Sequence, residues 1–142
     1  MFFSRGDINV FDAAQLASVL SQYQPTVLIN ASAYTAVDKA ETDVDAAYAL
    51  NNYAVQIIAD FCQQAGCRLI HVSTDFVFDG EAKTPYTVQS IANPINVYGD
   101  SKLAGEIAIQ NTMQQNYSII RTSWLYSSFG NNFVKNMLRL MN

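Results

Sequence analysis

The chain has 142 residues, of which 50% are hydrophobic and 14% charged, with eight basic and twelve acidic side chains and a formal net charge of -4. That is the composition of one globular domain with a real core, and it excludes a disordered polypeptide. The scattered basic residues speak against a nucleic-acid surface, and neither the opening MFFSR nor any later apolar run is long enough for a signal peptide or a membrane span.

In chain order, Phe11 to Gln24 predicts a helix with Leu16, Val19, Leu20 and Tyr23 on one face, ended by Pro25. Thr26 to Asn30 (TVLIN) is a short, continuously apolar strand of the kind buried on both faces of a parallel sheet. After a loop from Ala31 to Ala40, Thr42 with Asp45 three residues on reads as the cap of a long helix. Asp43 and Asp45 suit its positive end. Its core stripe is Ala47, Leu50, Ala54, Ile57, Ile58 and Phe61, and Gly66 closes it. Cys62 and Cys67, with a single histidine in the chain, do not make a metal set; they read as reduced thiols of a cytoplasmic protein.

A second buried strand follows at Arg68 to Ser73 (RLIHVS). His71 within it reads as a satisfied core residue rather than a base, and without a second histidine a Ser-His-Asp mechanism has no support. Residues 75–97, with Asp79-Gly80, Pro85 and Pro94, form a long irregular segment, a length that usually signals function or mobility. The next helix carries Tyr98 and Lys102 and runs to about Gln114, followed by the strand Tyr117 to Arg121 (YSIIR). A last amphipathic stretch, Asn132 to Met141, offers Phe133, Met137 and Leu140 to a core.

This alternation implies an α/β fold: an open, doubly wound, Rossmann-like parallel sheet with right-handed crossovers, whose ligands bind beyond the carboxyl ends of the strands. Three segments qualify, namely Asn30 to Thr35, Ser73 to Asp75 and Thr122 to Trp124. Tyr98 and Lys102 sit four apart beside them and share a helix face. An ammonium near a phenol favours the phenolate, so Tyr98 reads as the proton donor or acceptor and Lys102 as the group that tunes it. A hydroxyl at Thr74 could bond the same carbonyl oxygen that Tyr98 protonates. The Tyr/Lys spacing alone is weak evidence, because a solvated helix face often shows it; the strand-end motifs carry the weight. The acids Asp38, Glu41, Asp43 and Asp45 read as a solvated helix start with no metal.

Four motifs, NASAYTAVDKAE (30–41), VSTDFVFDG (72–80), PINVYGDSKLAGE (94–106) and RTSWLY (121–126), resemble in order and spacing the dTDP-4-dehydrorhamnose reductases, extended members of the short-chain dehydrogenase/reductases. The likeness runs from Asp7 through Phe133. It implies an NADPH- or NADH-dependent reduction of the C4 keto group of dTDP-4-dehydro-L-rhamnose, with Tyr98 as catalytic acid, Lys102 as its partner and nicotinamide-ribose ligand, and Thr74 orienting the keto oxygen. It further implies Asp75 and Trp124 at the substrate, Asp7 and Ile8 beside the adenine, and Ala33, Tyr34, Thr35 and Val72 along the cofactor wall. For the complete protein it implies a homodimer and Mg2+, although no metal-ligand motif is evident here. Phe76 departs from the family pattern, which has tyrosine there, so any hydrogen bond from that hydroxyl is missing.

Residues 1–142 hold neither the glycine-rich turn that would receive a pyrophosphate nor the smaller sugar-nucleotide domain that the resemblance leads one to expect. The expectation is therefore a partial Rossmann-like domain over 1–142, with apolar surface left uncovered beside its first strand and little activity by itself. Two other readings stand beside this one. A related nucleotide-sugar epimerase or dehydratase would share Tyr98 and Lys102, and a noncatalytic remnant of the fold would keep the architecture without turnover.

Overall fold

The protein, described by a computed structural model over residues 1–130 and 132–141, has a three-stranded parallel sheet in the order β1-β2-β3. The strands are β1 (Val27–Asn30), β2 (Arg68–Thr74) and β3 (Tyr117–Thr122). In register, Asn30 faces His71 and Thr74 faces Thr122, so the carboxyl ends of all three strands lie together. Helix α1 (Ala13–Tyr23) precedes β1; α2 (Val37–Ala40), α3 (Val44–Tyr48) and α4 (Ala54–Ala65) lie between β1 and β2. Helix α5 (Val97–Thr112) joins β2 to β3, and α6 (Phe133–Met141) follows β3. Among the described residues no helix is long and apolar enough to cross a membrane.

Side chains alternate across a strand, so Leu69, His71 and Ser73 share one face of β2, and all three are buried. Around Leu69 the main core gathers Leu16 and Leu20 of α1, Val55, Ile58 and Cys62 of α4, and Ile109 and Met113 of α5. The opposite face leaves Val27, Ile29 and Ile120 exposed, Ile29 at 64%. The strands are thus covered on one face by the described helices, where their apolar composition predicted burial on both. Helix α6 does not close the gap. Its Phe133, Met137 and Leu140, expected in a core, all stay out of it, and the helix buries no residue.

Local signals account for most element ends. Asp12 caps α1 by accepting from the Gln15 amide at 2.9 Å. Gly66 ends α4 in the left-handed conformation at φ 64°, where its lack of a Cβ removes the steric penalty. At α5 the Asn96 side chain accepts from the Gly99 amide at 2.7 Å, and Glu41 accepts from the Val97 amide at 2.8 Å, tying the new helix to the end of α2.

The long helix expected from Thr42 is divided and starts later. Thr42 donates its hydroxyl to the Lys39 carbonyl at 3.2 Å instead of capping, and Asp43 takes the N-cap position of α3. Residues Ala49–Tyr53 then form a π-helical turn. A π turn fits an additional residue into the helix and rotates the next turns about the axis. As a result Asn51 is fully buried while Leu50 is only half-buried, and Val55, Ala59 and Cys62 join Ile58 in the core stripe.

The π turn sits where α5 approaches most closely: a Cβ on Gly105 would collide with the Asn51 carbonyl oxygen and come within 3.5 Å of Val55 Cγ2. Glycine is required here for proximity, not for backbone conformation. Gly105→Ala is expected to destabilise the fold by about 1–3 kcal/mol, the usual cost of overpacking, read as a lower urea midpoint at unchanged slope. An unchanged midpoint would show that α5 can retreat from the π turn without loss.

Candidate active site

The end of β2 and the first two turns of α5 build the site. Tyr98 and Lys102 lie one turn apart on α5, with relative exposures of 9% and 1%. The Tyr98 ring packs with Ala40 and Ala47 in a second core cluster that Tyr34 and Val97 flank. Its edge meets Phe76, with ring centroids 5.5 Å apart and planes at 72°. A Cβ on Gly99 would run into the Phe76 carbonyl, so glycine lets the helix start press against the short 3-10 turn Asp75–Val77.

Burial pushes the Tyr98 phenol above its ordinary pKa; the Thr74 hydroxyl opposes this and the Asp75 carboxylate adds to it. Lys102 is buried one turn along the same helix. Its Nζ donates to the Val72 carbonyl at 2.7 Å and lies 3.4 Å from His71 Nε2. Burial brings the lysine down to about 8, against the pull of Glu106 in the other direction. The same burial, with the lysine charge, lowers His71 to about 3, so the imidazole is neutral at physiological pH. This agrees with the core role expected for His71, and it adds a contact with Lys102.

Thr74 stands at the last position of β2, where its Oγ1 donates to Asp75 Oδ1 at 3.2 Å and accepts from the Phe76 amide at the same distance. Asp75 also accepts from Ser123 Oγ at 2.6 Å, which joins the loops after β2 and β3. Trp124 is 69% exposed, adopts φ 51°, and meets Phe133 edge-on at 4.7 Å. A left-handed backbone at a bulky residue carries strain.

The segment after β1 is held from α3 and the π turn. Asn51 Oδ1 accepts from the Tyr34 amide at 2.9 Å, and its Nδ2 donates to the Tyr34 carbonyl at 3.1 Å and to Ser101 Oγ at 3.0 Å. The Tyr34 hydroxyl donates to Asp43 at 3.0 Å. Ala33 is half-buried beside it and Thr35 is exposed. Val72, Thr74, Tyr98 and Lys102 therefore converge, and Ala33, Tyr34 and Thr35 are linked to them through Asn51 and Ser101. Asp7 and Ile8 are engaged elsewhere: the Asp7 carboxylate accepts from Ser4 backbone and hydroxyl at 2.7 and 2.6 Å, and Ile8 packs in the main core.

Several residues that support the site did not stand out from the sequence. Asn51 left one trace, a polar side chain inside an otherwise apolar helix stripe. Glu106, 1% exposed, accepts from Arg121 through both of its oxygens at 2.6 to 3.2 Å, and from Ser73 Oγ at 2.5 Å. Arg121 also lies over the Phe78 ring, 4.9 Å from its centroid. This anchors Ser73, and with it the strand end carrying Thr74, to α5. Among the described residues no group of three or more His, Cys, Asp or Glu side chains is placed to hold a metal ion. A resident Mg2+ does not fit the donor set among these residues.

The family model for the RmlD substrate binding domain matches residues 1–142. The chain belongs to this family. It is 46% identical over 136 residues to dTDP-4-dehydrorhamnose reductase of Sinorhizobium fredii, a match covering 96% of this chain and 46% of that protein. It is 36% identical over 137 residues to dTDP-4-keto-6-deoxy-D-glucose reductase of Streptomyces niveus, covering 96% of this chain and 48% of that one. Among solved structures, dTDP-4-dehydrorhamnose reductase of Bacillus anthracis in complex with NADP superposes with a TM-score of 0.93 at 39% identity, over 97% of this chain and 49% of that chain. The α/β architecture with parallel strands is that of these Rossmann-like reductases. The chain spans about half the length of the curated relatives it matches.

Proposed function

We propose that this chain carries the proton-donating half of an NADPH- or NADH-dependent reductase that converts dTDP-4-dehydro-L-rhamnose into dTDP-L-rhamnose in the cytoplasm. The observation that carries the reading is Tyr98, buried beside Thr74 at the carboxyl end of β2, with a phenol kept protonated at neutral pH. A reduction needs an acid that is loaded when the alkoxide forms. A phenol is protonated at neutral pH and has one O–H to give, and its place beside Thr74 puts that proton at the strand end.

In this mechanism Thr74 and Tyr98 bracket the C4 oxygen. When the ligand binds, Thr74 turns its one hydroxyl proton from Asp75 Oδ1 to that oxygen; the two donors oppose the charge that develops as the carbonyl becomes an alkoxide, and Tyr98 then transfers its proton to it. Asp75, braced by Ser123, holds sugar hydroxyls, and the exposed Trp124 offers a flat apolar surface to the ligand. The nicotinamide cofactor, when bound, supplies the hydride. The donor chemistry fits its ribose: an ammonium has three N–H groups, and Lys102 spends one on Val72 and can present another to a ribose hydroxyl. Val72 and the Ala33 to Thr35 segment form the adjoining wall. The pyrophosphate has no glycine-rich partner in this chain, so that half of the cofactor depends on residues outside it. The complete protein is a homodimer in this reading.

The identity to a dTDP-4-keto-6-deoxy-D-glucose reductase favours that sugar as the second reading. The two substrates share the C4 ketone and differ in what surrounds it, so the acid serves both.

Titration calorimetry of the protein with NADPH and with NADH, repeated with Lys102→Ala, tests the cofactor assignment. The expected result is saturable binding that weakens at least tenfold in the variant, about 1.4 kcal/mol. Equal affinities would remove Lys102 from the cofactor site. Turnover of the two keto sugars by a protein that joins this chain to a pyrophosphate-binding turn, compared as kcat/KM, decides between the substrates.

A further inference from the structure

Asn30, at the end of β1, has its side-chain amide fixed in one orientation. Its Oδ1 accepts from the Ser32 amide at 3.0 Å and from Ser32 Oγ at 2.6 Å. An NH2 group cannot take those two bonds, so Nδ2 is the atom that faces His71, 3.1 Å from Nδ1. An amide nitrogen only donates. Nδ1 of His71 must therefore accept, and the single proton of the neutral imidazole resides on Nε2. Nε2 lies 3.4 Å from Lys102 Nζ, inside a region where His71 is completely buried.

This places an N–H against an ammonium, donor to donor. Deprotonation relieves the conflict: an amine at Nζ has a lone pair to accept from Nε2–H and keeps two N–H groups, one of them for the Val72 carbonyl at 2.7 Å. We propose that Asn30 and His71 are a positioning pair for Lys102, in which Asn30 locks the imidazole as its Nε2–H tautomer and that N–H biases Lys102 toward the amine. The proposal rests on the reading that Lys102 serves the reduction. It makes the lysine a group whose charge changes close to working pH, where a lysine facing only acceptors would remain a fixed cation.

The charged and titratable groups around Lys102 are few. Glu106, on the same helix, favours the ammonium, but Arg121 of β3 and Ser73 of β2 already occupy its carboxylate. Tyr98 lies one turn back on α5, and His71 faces Lys102 from β2. The lowered lysine pKa, about 8, is consistent with the orientation of the imidazole.

The test uses 15N- and 13C-labelled protein without cofactor or substrate, so failure of the reductase reading leaves it intact. Long-range 1H–15N correlation is expected to show His71 protonated at Nε2 and bare at Nδ1 at neutral pH. Asn30→Asp keeps the shape and replaces the donor by an acceptor. It is expected to move the proton to Nδ1, turn Nε2 into an acceptor for the ammonium, and shift the Lys102 titration upward by about one pH unit, tenfold in its protonation equilibrium. A wild-type His71 protonated at Nδ1 overturns the proposal, and so does a variant in which Lys102 shifts while Nε2 keeps its proton, since that is the effect of added charge alone. Should Asn30→Asp fail to fold, the wild-type tautomer decides.

Discussion

In a protein that joins this chain to a pyrophosphate-binding turn, Tyr98→Phe is expected to lower kcat for reduction of the C4 keto sugar by about 10²–10⁴-fold while leaving NADPH affinity within a few-fold of the unsubstituted protein. The substitution removes one oxygen and keeps the ring, so the edge contact with Phe76 and the packing on Ala40 and Ala47 survive. What is lost is a proton held ready in a site that is 9% exposed, where water cannot readily take its place. Steady-state rates over a range of keto sugar concentrations, with far-UV circular dichroism to establish folding, provide the measurement. A loss smaller than threefold in kcat would mean that the proton comes from another group, and Tyr98 would be reduced to a packing residue.

Arg121→Met is expected to destabilise the fold by about 3–5 kcal/mol, a large share of the 5–15 kcal/mol typical of a domain. Glu106 is almost wholly buried, and Arg121 supplies its cation through three contacts between 2.6 and 3.2 Å. Without the guanidinium the carboxylate keeps only the Ser73 hydroxyl, and the cost of burying its charge is no longer offset. Urea unfolding of the single variant and of Glu106→Gln with Arg121→Met separates the two contributions. The double variant should recover much of the loss, because a neutral amide is far cheaper to bury than an unpaired carboxylate. A single variant within about 1 kcal/mol of wild type would show that the pair behaves like an exposed one. Because Ser73 precedes Thr74, the same variant should also loosen the strand end in the site.

The candidate acid illustrates how far local pattern extends. Tyr98 and Lys102 fall one helical turn apart and share a face, which helix geometry sets; that this face is buried is decided by packing. Burial is the largest influence on the phenol, and Lys102 is drawn to the Val72 carbonyl and toward His71. Those partners lie 30 and 31 residues away in the chain. A spacing rule says which face a side chain occupies, but not which of several nearby acceptors it will choose.

By itself the sequence determined the parts whose physics is local. The short apolar runs are strands, Pro25 and Gly66 end their helices, and the strand-end motifs mark the site and the family. Tertiary structure decided the rest. The π turn at Ala49–Tyr53 occurs where α5 presses on Asn51 through Gly105, the Glu106 carboxylate meets Arg121 only once β3 lies beside β2, and the His71 ring meets the side chain of Asn30, 41 residues earlier. One face of the sheet remains open although its residues are as apolar as those beneath the helices, because burial depends on what is packed above a strand and not on the strand alone.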